Sequence, residues 1–192
     1  MKGVWIFLAD GFEDVEALAA CDVLRRGGVD VKLVGVAGRE VRSSHGVRVL
    51  ADTVLSDMDF SHEGTLAGDV MIFPGGMPGT KNLAACEPLM RLMQEHYDAG
   101  GTVAAICAAP GYVLGKLRDL EGVHFTCFDG CGDLPLSKGA VFEPRAAVVC
   151  GRIITGRSAG HAQAFGLKIL EAVAGTEAAA KVEYAMNLET EE

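Results

Sequence analysis

Basic residues are in short supply in this chain: 17 lysines and arginines stand against 26 acids in 192 residues, a formal net charge of −9. A protein of that sign repels phosphate backbones and anionic lipid as a whole, and the densest basic pair, Arg25-Arg26, is too small to act as a local exception. Nucleic acid is not expected as a direct ligand. Long hydrophobic runs are missing too. The most extended nearly apolar stretch, Val103 to Gly115, is broken by Pro110 and by Gly111 and falls short of the roughly 20 residues that a membrane helix needs. The short apolar run Val4 to Leu8 meets Asp10, Glu13, Asp14 and Glu16 too soon to read as a signal peptide. A cytoplasmic location without a membrane partner is therefore expected, and the six cysteines should be reduced thiols.

Metal and nucleotide signatures are equally sparse. His124, Cys127, Cys131 and Asp133 could be drawn as a zinc site, but the paired Cys-x-x-Cys knuckles of structural zinc are lacking, so no metal is expected. Gly75-Gly76-Met77-Pro78-Gly79 has neither the lysine nor the Ser/Thr of a phosphate loop, and no Gly-x-Gly-x-x-Gly follows the first apolar run, so no cofactor is expected. No repeat, low-complexity tract or linker divides the chain, and residues 1–192 read as a single domain long enough to be held by its core alone.

What is present is alternation. Val4 to Leu8, Val29 to Val36, Val70 to Phe73 and Thr102 to Ile106 read as buried strands. Between and behind them, Asp10 to Arg26, a segment from Pro88 with Leu89, Leu92, Met93 and His96 on one face, and Ala108 to Leu117 read as helices. Ala146 to Val149 and Arg152 to Thr155 read as a hairpin, and Ala162, Phe165, Ile169, Leu170 and Val173 mark a closing helix. Residues 37–68 and 119–145 are less regular. Strand-helix alternation predicts an α/β fold with a mostly parallel central sheet.

Ligands of such sheets gather at the carboxyl ends of the strands. There the chain places Asp10 to Glu16, the Pro74-Gly75-Gly76 turn, and Cys107-Ala108-Ala109-Pro110. A cysteine caught between a buried strand and a helix start occupies the position of a nucleophile elbow, and the helix start should favour its thiolate. Glu16 shares a helical face with Ala20 and Val23 and is expected to point inward, with Glu13 facing water. A partly buried carboxyl stays protonated more readily and could donate to a thiolate. The glycine turn could offer backbone N–H groups to an oxyanion.

These segments resemble the ThiJ/PfpI superfamily and, within it, the DJ-one branch. The likeness rests on Gly11-Phe12-Glu13-Asp14-Val15-Glu16, Phe73-Pro74-Gly75-Gly76, Ala104 to Pro110 and Ile154-Thr155-Gly156-Arg157-Ser158. The resemblance implies a flavodoxin-like three-layer sandwich and a homodimer. It matches Cys107 to the reactive cysteine, Glu16 to the carboxyl that contacts it, Gly76 and Ala108 to the oxyanion-type N–H donors, and Arg157 to an arginine near the pocket. It also implies that the loop of Ser44-His45-Gly46 approaches the partner subunit's pocket. Phe128 stands where many members carry a histidine, so a Cys-His dyad is not expected.

The chemistry that follows is addition of the Cys107 thiolate to a small α-oxoaldehyde such as methylglyoxal, or to a glycated adduct, with Glu16 as proton carrier. The resemblance implies both a glyoxalase that needs no glutathione and a deglycase. A redox-sensing, oxidative-stress protective or chaperone role through oxidation of Cys107 is the alternative. A glutamine amidotransferase or cysteine peptidase needs a histidine and an acid beside the thiol, and His161-Ala162-Gln163 only superficially suggests one.

Overall fold

A computed structural model describes residues 1–58 and 60–188. Its strands, in chain order, are β1 Val4–Leu8, β2 Val31–Gly35, β3 Glu40–Arg42, β4 Arg48–Leu50, β5 Thr53–Val54, β6 Val70–Phe73, β7 Thr102–Ile106, β8 His124–Phe125, β9 Val141–Phe142, β10 Ala147–Cys150 and β11 Ile153–Gly156. The helices are α1 Asp14–Arg26, α2 Gly79–Ala85, α3 Glu87–Asp98, α4 Ala109–Tyr112, α5 Asp133–Ser137, α6 Ala162–Ala174 and α7 Thr176–Ala185.

Seven strands form the central sheet in the order β10-β11-β7-β6-β1-β2-β5. Every neighbouring pair is parallel except β10 and β11, which form the antiparallel edge. The alternation of side chains along each strand divides the core in two. Ile6, Leu8, Val70, Ile72, Ala104 and Ile106 face α1 and α6, whereas Phe7, Met71, Phe73, Val103 and Ala105 face α2, α3 and the residues behind α4. A sheet covered on both sides needs apolar residues at successive positions, which is why these strands carry unbroken runs. The result is the expected α/β three-layer sandwich. Among the described residues no helix is long and apolar enough to cross a membrane.

Several boundaries move from the sequence reading. The first helix begins at Asp14 rather than Asp10, because Gly11 takes φ +88° and Glu13 caps the helix, its carboxylate accepting from the Glu16 N–H at 2.7 Å. The segment 108–117 is not one helix: α4 ends at Tyr112 and a separate 3₁₀ turn covers Leu114–Lys116. The irregular stretch 37–68 contains the β3-β4 hairpin and β5, and the chain continues past Val173 into α7, whose alanines pack it on α6 with a weaker apolar stripe.

His96 shows how tightly the layers close. Its Nε2–H lies 3.1 Å from the Asp69 carbonyl and 3.2 Å from that of Thr102, while Nδ1 is buried without a partner. A second proton on the ring would meet no acceptor. Burial, followed by the charge of the chain's amino terminus, pushes the imidazole down to about 4 from an ordinary 6.5. The unfolded chain therefore takes up this proton at a pH where the folded one does not, and the stability is present above about 6.5 and lost as the pH falls toward 4. Denaturant midpoints taken from about pH 7 to about pH 5 should show the parent losing about 1–2 kcal/mol more than a His96→Gln variant. Equal losses in the two proteins would show that His96 is not the group responsible.

Candidate active site

The site is assembled where β1, β6 and β7 end. Cys107 follows β7 directly and holds φ +63°, a left-handed conformation that a residue with a Cβ adopts only at a cost of about 1–3 kcal/mol. Two backbone bonds hold it there: Cys107 N–H donates to the Gly156 carbonyl of β11 at 3.0 Å, and the Phe128 N–H donates to the Cys107 carbonyl at 2.8 Å. The bend lifts the side chain off the sheet at the start of α4 and leaves the residue only half-buried.

Glu16, in the first turn of α1, is buried at 1% relative exposure. One carboxyl oxygen, Oε2, accepts the Gly75 N–H at 2.8 Å. The other, Oε1, is buried with no conventional hydrogen-bond partner, and the carboxyl interacts with the Cys107 thiol. Gly75 is the residue between them. A Cβ added to it would lie 2.6 Å from Glu16 Oε2, 2.7 Å from Cys107 Cβ and 3.1 Å from its Sγ. No other residue type fits there. Gly76, with φ +87°, turns the chain so closely over α1 that a Cβ would stand 2.4 Å from the Glu13 backbone nitrogen.

The electrostatics of the pair follow from this enclosure. Burial raises the Glu16 carboxyl to about 7 from 4.5, against the lowering effect of its bonds to Cys107 and the Gly75 N–H. Burial first, then the charge of Glu16, pushes the Cys107 thiol well above its usual range, while the N–H groups of Ala108 and Gly76 pull it back. The thiolate favoured by a helix start is thus outweighed by desolvation and by the neighbouring carboxylate. Near neutral pH the carboxyl is therefore close to its midpoint beside a thiol that holds its proton, and the two titrate as a coupled pair. Sulfur becomes anionic when its proton passes to Glu16.

The other expected residues fall at varying distances from this pair. Gly76 and Ala108 present their N–H groups to the sulfur. Arg157 does not: its guanidinium pairs with Asp129 at 3.0 Å and acts on Cys127. It therefore braces the 127–129 loop, whose Phe128 N–H holds the elbow. Phe128 is itself exposed. Glu13 does not face water as expected, because its carboxylate caps α1 and its N–H donates to the Gly75 carbonyl at 3.0 Å. Gly75, which the sequence offered as part of a turn with backbone N–H groups near Cys107 but not as a site residue in its own right, is the main addition to the expected site. His124 is paired with Glu143 at 2.5 Å, whereas Cys127 and Cys131 lie near each other. Among the described residues, the one grouping of metal-type ligand atoms is Glu13, Asp14 and His45, where Asp14 is already occupied by Ser43 at 2.5 Å and His45 at 2.7 Å.

A raised carboxyl has a cost that depends on pH. Above about 7 the folded protein carries an ionised, buried Glu16, and this penalty disappears as the pH falls toward 4.5, the value of the unfolded chain. A Glu16→Gln variant should gain about 2 kcal/mol relative to the parent between about pH 5 and about pH 8, read from urea unfolding at each pH. A pH-independent difference would mean that Glu16 titrates as an ordinary carboxylate.

Comparison with known proteins places this geometry. The model of the DJ-1/PfpI family matches residues 2–172. Protein DJ-1 homolog B of Arabidopsis thaliana is 35% identical over 94% of this chain, which spans 40% of that protein's length. A Caenorhabditis elegans relative named glutathione-independent glyoxalase DJR-1.2 is 32% identical over 86% of this chain and 84% of its own. The crystal structure of Drosophila melanogaster DJ-1beta superposes with a TM-score of 0.84 at 31% identity, covering 98% of this chain and 99% of that one. With the elbow, the buried glutamate and the glycine turn in one site and the likeness extending over nearly the full length, the chain belongs to the DJ-1/PfpI family.

Proposed function

We propose that this protein converts small α-oxoaldehydes, or their early adducts on amines and thiols, by covalent catalysis at Cys107, as a glyoxalase that needs no glutathione or as a deglycase. The observation that carries the reading is the close approach of the Cys107 thiol and the buried Glu16 carboxyl across Gly75, with the backbone N–H groups of Gly76 and Ala108 beside the sulfur. The name of the C. elegans relative agrees with it.

With methylglyoxal the steps balance as follows. The thiol proton passes to the Glu16 carboxylate as sulfur bonds to the aldehyde carbon, and the N–H groups of Gly76 and Ala108 receive the charge on oxygen. Glu16 protonates that oxygen and, again a carboxylate, takes the hydrogen from the former aldehyde carbon to give an enediolate. The hydroxyl proton then passes to the neighbouring oxygen, and Glu16 returns its proton to the neighbouring carbon as the thioester carbonyl forms. A thioester of a 2-hydroxy acid results. Water releases it as the hydroxy acid and restores the thiol, so the net reaction is addition of one water. For a hemiaminal or hemithioacetal adduct, the bond from the former aldehyde carbon to nitrogen or sulfur breaks as the bond to Cys107 sulfur forms. The amine or thiol leaves with the proton that Glu16 took from Cys107, and the same hemithioacetal then follows the steps above.

We also propose a homodimer. Val15 and Leu18 on α1 and Val47 and Leu50 on the β3-β4 hairpin are exposed apolar residues, and His45 and Ser43 tie that hairpin to the start of α1 through Asp14. Such a face suits a second copy of the chain. A cytoplasmic setting is consistent with six free cysteines.

Steady-state turnover of methylglyoxal tests the reading. Cys107→Ala should lower kcat/KM by at least about 10³-fold, and Glu16→Gln by about 10²–10⁴-fold. In the parent, kcat/KM should rise with pH through about 7 as the pair loses its first proton. Turnover that survives Cys107→Ala would remove the covalent mechanism.

A further inference from the structure

An opening separate from the Cys107 turn lies between α2, α4 and α5. It has a volume of about 530 Å³ and is lined by Lys81 and Ala84 of α2, Tyr112 of α4, Lys116 of the following 3₁₀ turn, and Cys131 and Leu134 around the start of α5. That volume is in the range of small-molecule sites. The Cys107 side chain does not line it.

The charges in this opening are unusual for an acidic protein. Lys81 and Lys116 both reach it, and neither forms an ion pair with a carboxylate among the described residues. Lys116 is fixed, because its Nζ donates to the Ala84 carbonyl at 2.6 Å, which holds the ammonium at the rim instead of leaving it to sweep through solvent. Asp133 is the one acid on the wall. Two ammonium groups against one carboxylate leave a single net positive charge, suited to a monoanion and poorly suited to a phosphate dianion. The Tyr112 ring and Leu134 supply apolar wall, and both are partly exposed.

We infer that this opening is a binding site for a small organic monocarboxylate with an apolar body, its carboxylate held by Lys81 and Lys116 and its body laid on Tyr112 and Leu134. The assignment stands apart from the oxoaldehyde chemistry, since it uses none of the residues of the Cys107 pair. The half-buried Cys131 thiol on the wall serves as a built-in reporter of occupancy.

Benzoate is a direct probe, with benzamide as its neutral isostere, and the full chain is the protein to use. In ¹H–¹⁵N spectra benzoate should shift the amides of Gly111, Tyr112, Gly130 and Cys131, and it should slow alkylation of Cys131 by iodoacetamide as read by peptide mass spectrometry. Benzamide should bind about tenfold more weakly or worse. Lys81→Met, which leaves the Lys116 anchor intact, should weaken benzoate by about tenfold while Lys81→Arg retains it. Benzamide binding as well as benzoate, unchanged affinity in Lys81→Met, or shifts confined to other surfaces would each overturn the assignment. Methylglyoxal turnover, measured alongside, reports separately on the Cys107 reading.

Discussion

A carboxyl and a thiol, both withdrawn from water and separated only by the backbone of Gly75, cannot both be charged at low cost. The backbone at the edge where β1, β6 and β7 end keeps them in that relation. Burial raises both proton affinities, and the Gly75 N–H gives the carboxyl one compensating bond while the N–H groups of Gly76 and Ala108 compensate the sulfur. In the proposed reaction a proton would pass between the two groups without crossing solvent. This is the property a nucleophile needs when its leaving proton must later be delivered to the substrate.

The scaffold explains how such an arrangement persists. The left-handed Cys107 is locked by β11 on one side and by the 128 loop on the other, and that loop is in turn braced by the Arg157–Asp129 pair. Glu16 is aimed by the cap that Glu13 forms at the head of α1, and Glu13 is itself tied to the Gly75 carbonyl. Each of the two reactive side chains is thus positioned by the loop that follows a different strand, while β6 inserts the glycine turn between them. Parallel neighbours β1, β6 and β7 make this convergence possible, because all three deliver their ends to the same edge.

Much of this was legible in the order of residues. Val70–Phe73 and Thr102–Ile106 were readable as buried strands to the residue, since four or five apolar positions in succession next to Pro-Gly or Cys-Ala leave little choice. The inward face of Glu16 followed from its spacing to Ala20 and Val23, and the buried row Leu89, Leu92, Met93 and His96 from helical periodicity. The sign of the Cys107 environment was not legible. Local sequence shows a helix start, whereas the dominant influences are burial and a carboxylate more than ninety positions away, which only the packed fold brings close. The contacts of Glu13 with Gly75 and of Arg157 with Asp129 were not legible for the same reason, as these partners belong to other loops. The α2 helix and the β3-β4 hairpin are short and carry weak periodicity, so tertiary contacts decide them.

The most direct test of this account is a carbon-13 NMR titration of the Glu16 side-chain carboxyl, followed together with Cβ of Cys107. The account predicts a midpoint near 7 for the carboxyl, with the cysteine resonance shifting over the same pH interval because the two groups titrate as a pair. A Glu16 midpoint at the ordinary value of about 4.5, with Cys107 unmoved through that range, would contradict it.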